Sequence, residues 1–216
     1  MGVGDVDAGK RSPAYPRATG SPRGEARRRD LLERVTDDLA ANGLVDFSLR
    51  RAARAAGTTH KVLLYHFDGV EDLLGQAMYR LRERRIDNAL AAAARGSRRQ
   101  SLASRVRALW PALADDASGL RVIDQAIGLA MYDPERYAHL AREASAQYRP
   151  ALLAMCPEEW PDRRKREIVE LILATMRGFL MEWRTSHDTA AIEAGLAALT
   201  RALKREEADM GDGRGQ

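Results

Sequence analysis

Thr59, His60 and Lys61 follow one another just after Gly57 and just before the apolar run Val62-Leu63-Leu64. A threonine hydroxyl accepts well from the free amides of a helix start. Thr59 is therefore placed to cap a short helix whose first side chains are the imidazole of His60 and the ammonium of Lys61. Upstream, Ser48 can cap another short helix, on which Arg50 and Arg54 lie four residues apart and share a face. Downstream, Tyr65 and His66 add a phenol and a second imidazole that can reach a phosphate. Cations and donors gathered on two adjacent short helices suit a polyanion, with phosphates for the arginines and base edges or phosphates for His60 and Lys61. The plainer reading of the same residues is a solvated polar face. Arg27-Arg28-Arg29, with Arg23 before it, fits either a minor-groove or phosphate arm or a solvated helix start, where positive charge opposes the macrodipole.

Catalytic chemistry finds little to work with. The four histidines, His60, His66, His139 and His187, form no H-E-x-x-H pattern, and no glycine-rich loop of the phosphate-cradling type occurs. His60 and His66 are six apart, the wrong spacing for one helical face, and Cys156 stands alone beside Pro157. The chain is expected not to be an enzyme and to need no cofactor and no metal.

The elements that carry these residues are helical. In 216 residues Ala and Leu number 37 and 25, against 9 Val and 6 Ile, a composition that favours helix over sheet. No run of about 18 apolar residues could span a bilayer, and the first thirty residues hold no apolar signal segment. With one cysteine and no internal disulfide, the expected compartment is the cytoplasm, with no membrane partner. The net charge of +4 is local: residues 1–66 hold 12 basic and 8 acidic side chains, and the remainder is balanced. That division suggests a polyanion-binding part joined to a part with another task.

Punctuation divides the chain further. Residues 1–22, rich in proline and glycine and poor in large apolar side chains, are expected to be a disordered tail, as are residues 209–216. A first helix over about residues 23–41 places Leu31, Leu32, Val35 and Leu39 on one face and ends at Gly43. Short helices are expected from Leu49 to Ala56 and from Thr59 through about Leu64, with Gly57 between them. Asp68-Gly-Val-Glu71 reads as a capping box opening a long fourth helix, through Leu73, Leu74, Met78 and Leu81 towards Ala94. Breaks near Gly96, residues 115–119, 133–134, 157–161 and 186–188 give about nine helices: an all-α chain with a DNA-binding part at 23–70 and a helical part at 71–208.

Two short helices joined by a glycine turn after one scaffold helix form a helix-turn-helix, whose second helix fits the major groove. Residues 48–74, SLRRAARAAGTTHKVLLYHFDGVEDLL, resemble the N-terminal signature of the TetR family of bacterial transcriptional regulators. Ser48, Ala53, Ala56, Gly57, Thr59, Leu63, His66, Phe67, Glu71 and Leu74 fall in register with it. The resemblance implies a homodimer that binds a palindromic double-stranded DNA operator and, as a ligand-responsive repressor, a small, mostly apolar effector. It departs at Leu64, where many members have Tyr, and at Val70, where many have a phosphate-binding Lys. Those departures keep open an alternative, a helical ligand-binding or interaction protein without sequence-specific DNA recognition.

In the C-terminal part, residues 168–183 are apolar nearly all round, and Ile192, Leu196, Leu199 and Leu203 follow as a short heptad seam, so these two helices are expected to pair with their copies in a dimer. Burial within one subunit is the other reading. Trp110, Met131, Tyr132, Met155, Met176, Phe179 and Trp183 fall on separate helices and are expected to converge on an effector cavity, an arrangement ordinary core packing also explains.

Overall fold

A computed structural model of the chain describes residues 21–94, 100–115 and 117–212. Among them the helix-forming composition is realised as nine α-helices and no strand: α1 (Pro22–Asn42), α2 (Leu49–Ala55), α3 (His60–His66), α4 (Val70–Ala94), α5 (Leu102–Asp115), α6 (Ala117–Tyr132), α7 (Pro134–Met155), α8 (Asp162–Ser186) and α9 (Thr189–Asp212).

The ends differ from the sequence expectation in small ways with local causes. Of the tail expected over residues 1–22, residues 1–20 lie outside the described residues. Ser21 and Pro22 open α1, the Ser21 hydroxyl accepting from the Gly24 amide at 3.1 Å and Pro22 sitting where no amide is needed. Helix α9 continues to Asp212, so residues 209–212 are helical, and residues 213–216 lie outside the description, as does the break near Gly96. At the start of α4 the carboxylate that accepts from the Asp68 amide, at 2.9 Å, belongs to Asp72. Because α4 begins at Val70 and the Gly69 carbonyl accepts from the Leu73 amide, Asp72 is the third helical residue, and it reaches one residue beyond the capping position where Glu71 was expected to close a capping box.

Two apolar cores hold the helices together. The first joins Leu31, Val35 and Leu39 of α1 to Ala52, Ala53, Leu63, Phe67 and the first half of α4, and closes on Val122, Ile123 and Ala126 of α6. The second joins Ala89 and Ala93 at the end of α4 to α5, the end of α7, α8 and α9. Helix α4 therefore belongs to both: the expected division at residues 70/71 falls at its first turn, and the helix passes from one core to the other between Leu81 and Ala89. Where it crosses it carries two buried arginines. Arg82 is 1% exposed and donates to Gln147 Oε1 at 2.8 Å and to the Leu140 carbonyl at 3.0 Å. Arg85 donates to the Leu113 carbonyl at 3.2 Å.

Candidate nucleic-acid interface and candidate ligand cavity

Helices α2 and α3 are short because each is bounded by its own chemistry. The Ser48 hydroxyl accepts from the Arg51 amide and the Thr59 hydroxyl from the Val62 amide, both at 3.3 Å. Between the helices, Gly57 takes φ 61°, a left-handed conformation that costs other residues about 1–2 kcal/mol. Its amide donates to the Arg54 carbonyl and that of Thr58 to the Ala53 carbonyl, so the end of α2 is closed by the turn itself. Ala52, Ala53 and Ala56 are buried, as are Leu63 and Phe67. Small residues on α2 let it approach its neighbours closely, and this packing fixes which side chains remain outside.

Outside are Ser48, Arg50, Arg54, Thr59, His60, Lys61, Leu64 and Tyr65, all exposed, with Leu64 at 47% and Tyr65 at 45%. His66 is half-buried and meets the Tyr65 ring edge-on at 5.0 Å. Burial pushes the His66 imidazole below its usual pKa, and the charges of Arg28 and Arg27 push it the same way. Near neutral pH it offers a hydrogen bond and no cation.

The arginines divide into two sets. Arg51 Nε lies 2.7 Å from Asp38 Oδ2, and the same guanidinium donates to the carbonyls of Val45 and Asp38, tying α2 to the end of α1. Arg28 donates to the His66 carbonyl at 3.2 Å and to Gln76 Oε1, and lies 4.9 Å over the Phe67 ring. Arg27 pairs with Asp30 at 2.8 Å. Arg50, Arg54 and Lys61 have no carboxylate partner among the described residues and point a local positive charge outward.

The second feature is a cavity of about 280 Å³ between α4, α5, α6, α7 and α8. Its wall is mostly Leu, Ile and Met, and Met131, Met155 and Met176 lie along it. Trp110, Tyr132, Phe179 and Trp183 do not line it. On α8 the cavity face runs through Leu173, Met176, Arg177, Leu180 and Arg184, whereas Phe179 and Trp183 lie on another face of the helix. Phe179 meets Trp110 edge-on at 6.3 Å and fits against Gly195, where a Cβ would come within 2.5 Å of its ring. Trp183 meets His187 at 5.0 Å. Tyr132, at the last position of α6, is 88% exposed. The sequence reading missed Arg85 and Asp124, charged residues that interrupt apolar stripes on α4 and α6 and face the cavity. Asp124 Oδ2 lies 3.3 Å from Arg184 Nε. Burial raises the pKa of Asp124, and the adjacent Arg184 and then Arg85 offset part of that rise.

Ile192, Leu196, Leu199 and Leu203 require a correction. All four are buried inside this chain, because α9 packs on α5 as well as α8. Arg107 of α5 pairs with Glu193, and the Leu102 amide donates to Glu207 at 2.5 Å, holding the two helices together. The stripe that looked like a seam between copies is core within one. The apolar and small residues that α8 and α9 leave exposed include Leu171, Ala174, Gly178 and Met181 on the first and Ala191, Ala194 and Ala198 on the second. Cys156 is likewise buried in this core, and burial pushes its thiol up.

No protein-family model matches the chain, and no curated protein matches it in sequence. Solved structures do match. The candidate transcriptional regulator SCO7518 from Streptomyces coelicolor A3(2) is 22% identical, with a TM-score of 0.63 over 81% of this chain and 96% of that one. A TetR-family transcriptional regulator from Cytophaga hutchinsonii is 16% identical, with a TM-score of 0.63 over 85% and 96%. The fold is that of the TetR-family regulators. The multidrug binding protein EbrR, in a structure with imidazole, is 20% identical, with a TM-score of 0.62 over 87% of this chain and 96% of its own. On this TetR-type frame α2 and α3 are the helix-turn-helix pair, and no helix among the described residues is long and apolar enough to cross a membrane.

Proposed function

We propose that the chain is a DNA-binding transcriptional regulator that grips a palindromic operator as a homodimer and releases it when a small effector fills the cavity. The observation that carries this reading is the division of the cations. Arg28 and Arg51 are committed to the fold, while Arg50, Arg54 and Lys61, with His60, stay exposed on two capped helices. In such a motif the start of α3 reads base edges in the major groove, and Arg50, Arg54, Tyr65 and His66 meet phosphates, with the Ser48 and Thr59 hydroxyls at the two helix starts. Leu64 offers the groove an apolar surface, suited to a thymine methyl.

A dimer is needed because one such helix covers too little sequence. The exposed apolar face of α8 and α9, from Leu171 to Met181 and from Ala191 to Ala198, is the surface two copies would share, and its small residues allow close helix approach. Two physical links would carry effector binding to the DNA side. One is α4, with Arg85 at the cavity and Leu73 in the N-terminal core. The other is α6, where Asp124 faces the cavity and the next residue, Gln125, accepts from the Leu44 amide at 2.7 Å, beside the loop that leads into α2. EbrR, crystallised with imidazole and with proflavin, is a neighbour in which the same fold holds small molecules.

Sequencing of genomic fragments captured by the purified protein tests the reading. A recurring palindrome with half-sites about one helical turn apart is the expected result, and Lys61→Ala should weaken binding to it by about 1–3 kcal/mol. Equal affinity for captured and random DNA at physiological salt would favour a helical ligand-binding or interaction protein instead. Ala198→Glu should give monomers in light scattering, and an unchanged dimer would move the interface elsewhere.

A further inference from the structure

The charges of the cavity are unequal. Among its described lining residues Asp124 is the one carboxylate, while Arg177 and Arg184 lie on its α8 side. They stand two turns apart on one face of α8, near Met131 and Met181, both of which are exposed. Arg184 meets Asp124 across 3.3 Å, a long separation for a charge-assisted contact, so this pair is open to competition. Arg177 donates to a neutral partner, the Ser145 hydroxyl, at 3.0 Å. Even with Asp124 and Arg184 counted as a neutral pair, Arg177 adds positive charge to the lining beside an apolar wall of Leu, Ile and Met, of which Glu170, outside the cavity, offsets only a part. An organic cation entering here would face three guanidinium groups, those of Arg85, Arg177 and Arg184, and a wholly apolar molecule would strip water from the more open ones without replacing its hydrogen bonds.

We infer that the effector is an amphiphilic monoanion, an apolar body carrying one carboxylate, whose head takes the place of Asp124 on Arg184 while its body fills the space lined by Leu109, Leu113, Ile172 and Met176. This rests on the reading of the cavity as the effector site. A cavity of about 280 Å³ walled by Leu, Ile and Met has room for an apolar chain of several carbons. Displacement from Arg184 leaves Asp124 half-buried in a place that already disfavours its charge, so binding draws a proton towards this carboxyl.

Three probes of one tail length isolate the head: octanoate, 1-octanol and octylammonium, each titrated calorimetrically into the full chain. Octanoate should bind at least about tenfold more tightly than the other two, a difference of about 1.4 kcal/mol. Arg184→Gln should abolish that preference while leaving 1-octanol binding intact, which also shows that the variant is folded. Asp124→Asn, which removes the competing carboxylate, should strengthen octanoate binding and leave 1-octanol unchanged. Octanol binding as tightly as octanoate, or a preference that survives Arg184→Gln, would overturn the anionic head while the cavity stood as a binding site. Failure of all three to bind would overturn the cavity reading itself.

Discussion

The helix-turn-helix end and the cavity end of this chain are packed to opposite purposes. At the first, alanines at 52, 53 and 56 and a left-handed glycine bring three helices together, and the charges that matter are outside. At the second, long side chains surround a void of about 280 Å³, and charged groups, Arg85 and Asp124 among them, are turned inward. Ion pairs follow the same division. Arg80 and Arg84 of α4 clamp Glu33 and Asp37 of α1, stitching the outer side of the first region, whereas Asp124 and Arg184 meet at the edge of the cavity in the second. On the proposed reading, a surface that presents fixed donors to a rigid partner needs a filled interior beneath it, and a region that would admit a ligand keeps room inside. Helix α4 runs through both, so a change in one is mechanically available to the other.

The same deletion in each region is the sharpest way to break this comparison. Leu63→Ala removes a fully buried side chain from the N-terminal core and should cost about 2–5 kcal/mol in urea unfolding. Leu173→Ala removes a half-buried side chain that already faces the void and should cost about 1 kcal/mol, since fewer contacts are lost. Equal costs would mean that the two regions are packed alike.

A smaller effect sharpens the division among the arginines. Arg51 and Asp38 are largely buried, with side chains 13% and 18% exposed. Arg51→Ala should therefore destabilise the fold by about 2–3 kcal/mol, less than a fully buried pair would lose, and weaken DNA binding only through that loss. Arg54→Ala should leave the unfolding free energy within about 0.5 kcal/mol and weaken DNA binding with a shallower salt dependence. A stable Arg51→Ala protein, or an Arg54→Ala protein that binds DNA as before, would dissolve the distinction.

How much of this was legible in the sequence differs between the two regions for the same physical reason. Caps and positive-φ glycines are local, so Ser48, Gly57 and Thr59 placed α2 and α3 to within about two residues. The face of Arg50 and Arg54 followed from spacing alone. In the C-terminal region an apolar stripe shows that a helix face is buried, but not against what. Ile192 to Leu203 fitted a seam between copies until α5 supplied the partner within the chain. Trp110 and Phe179 met each other across that core instead of a ligand. Arg85 and Asp124 were visible as charges within apolar stripes, and only the packing of five helices showed that they face one space.

The smallest expected effect is also the one in which the regions part in sign. His66 titrates at 6.5 when unfolded and lower when folded, so as pH falls below 6.5 the unfolded chain takes up the proton first and stability drops. Glu33 acts in a lower window. Burial tends to raise its pKa, but the hydrogen bonds and charges of Arg84 and Arg80 more than offset this and hold it below its ordinary 4.5. Stability is lost again as pH falls through that range and the α1–α4 clamp is protonated. Asp124 in the cavity is the reverse case: its pKa lies above 3.8 when folded, so as pH falls towards 3.8 the folded chain binds the proton first and is favoured. Mild acid should thus loosen the helix-turn-helix region while relieving the cavity wall. Amide hydrogen exchange from pH 7 to pH 5, corrected for intrinsic rates, should show protection falling in α3 and holding in α6. His66→Gln should remove the loss in α3 alone, because the change takes away the group whose protonation the unfolded state gains. Parallel loss of protection in both helices, or a loss in α3 that survives the substitution, would show that acid acts on the molecule as one unit and that the contrast in charge placement has no thermodynamic counterpart.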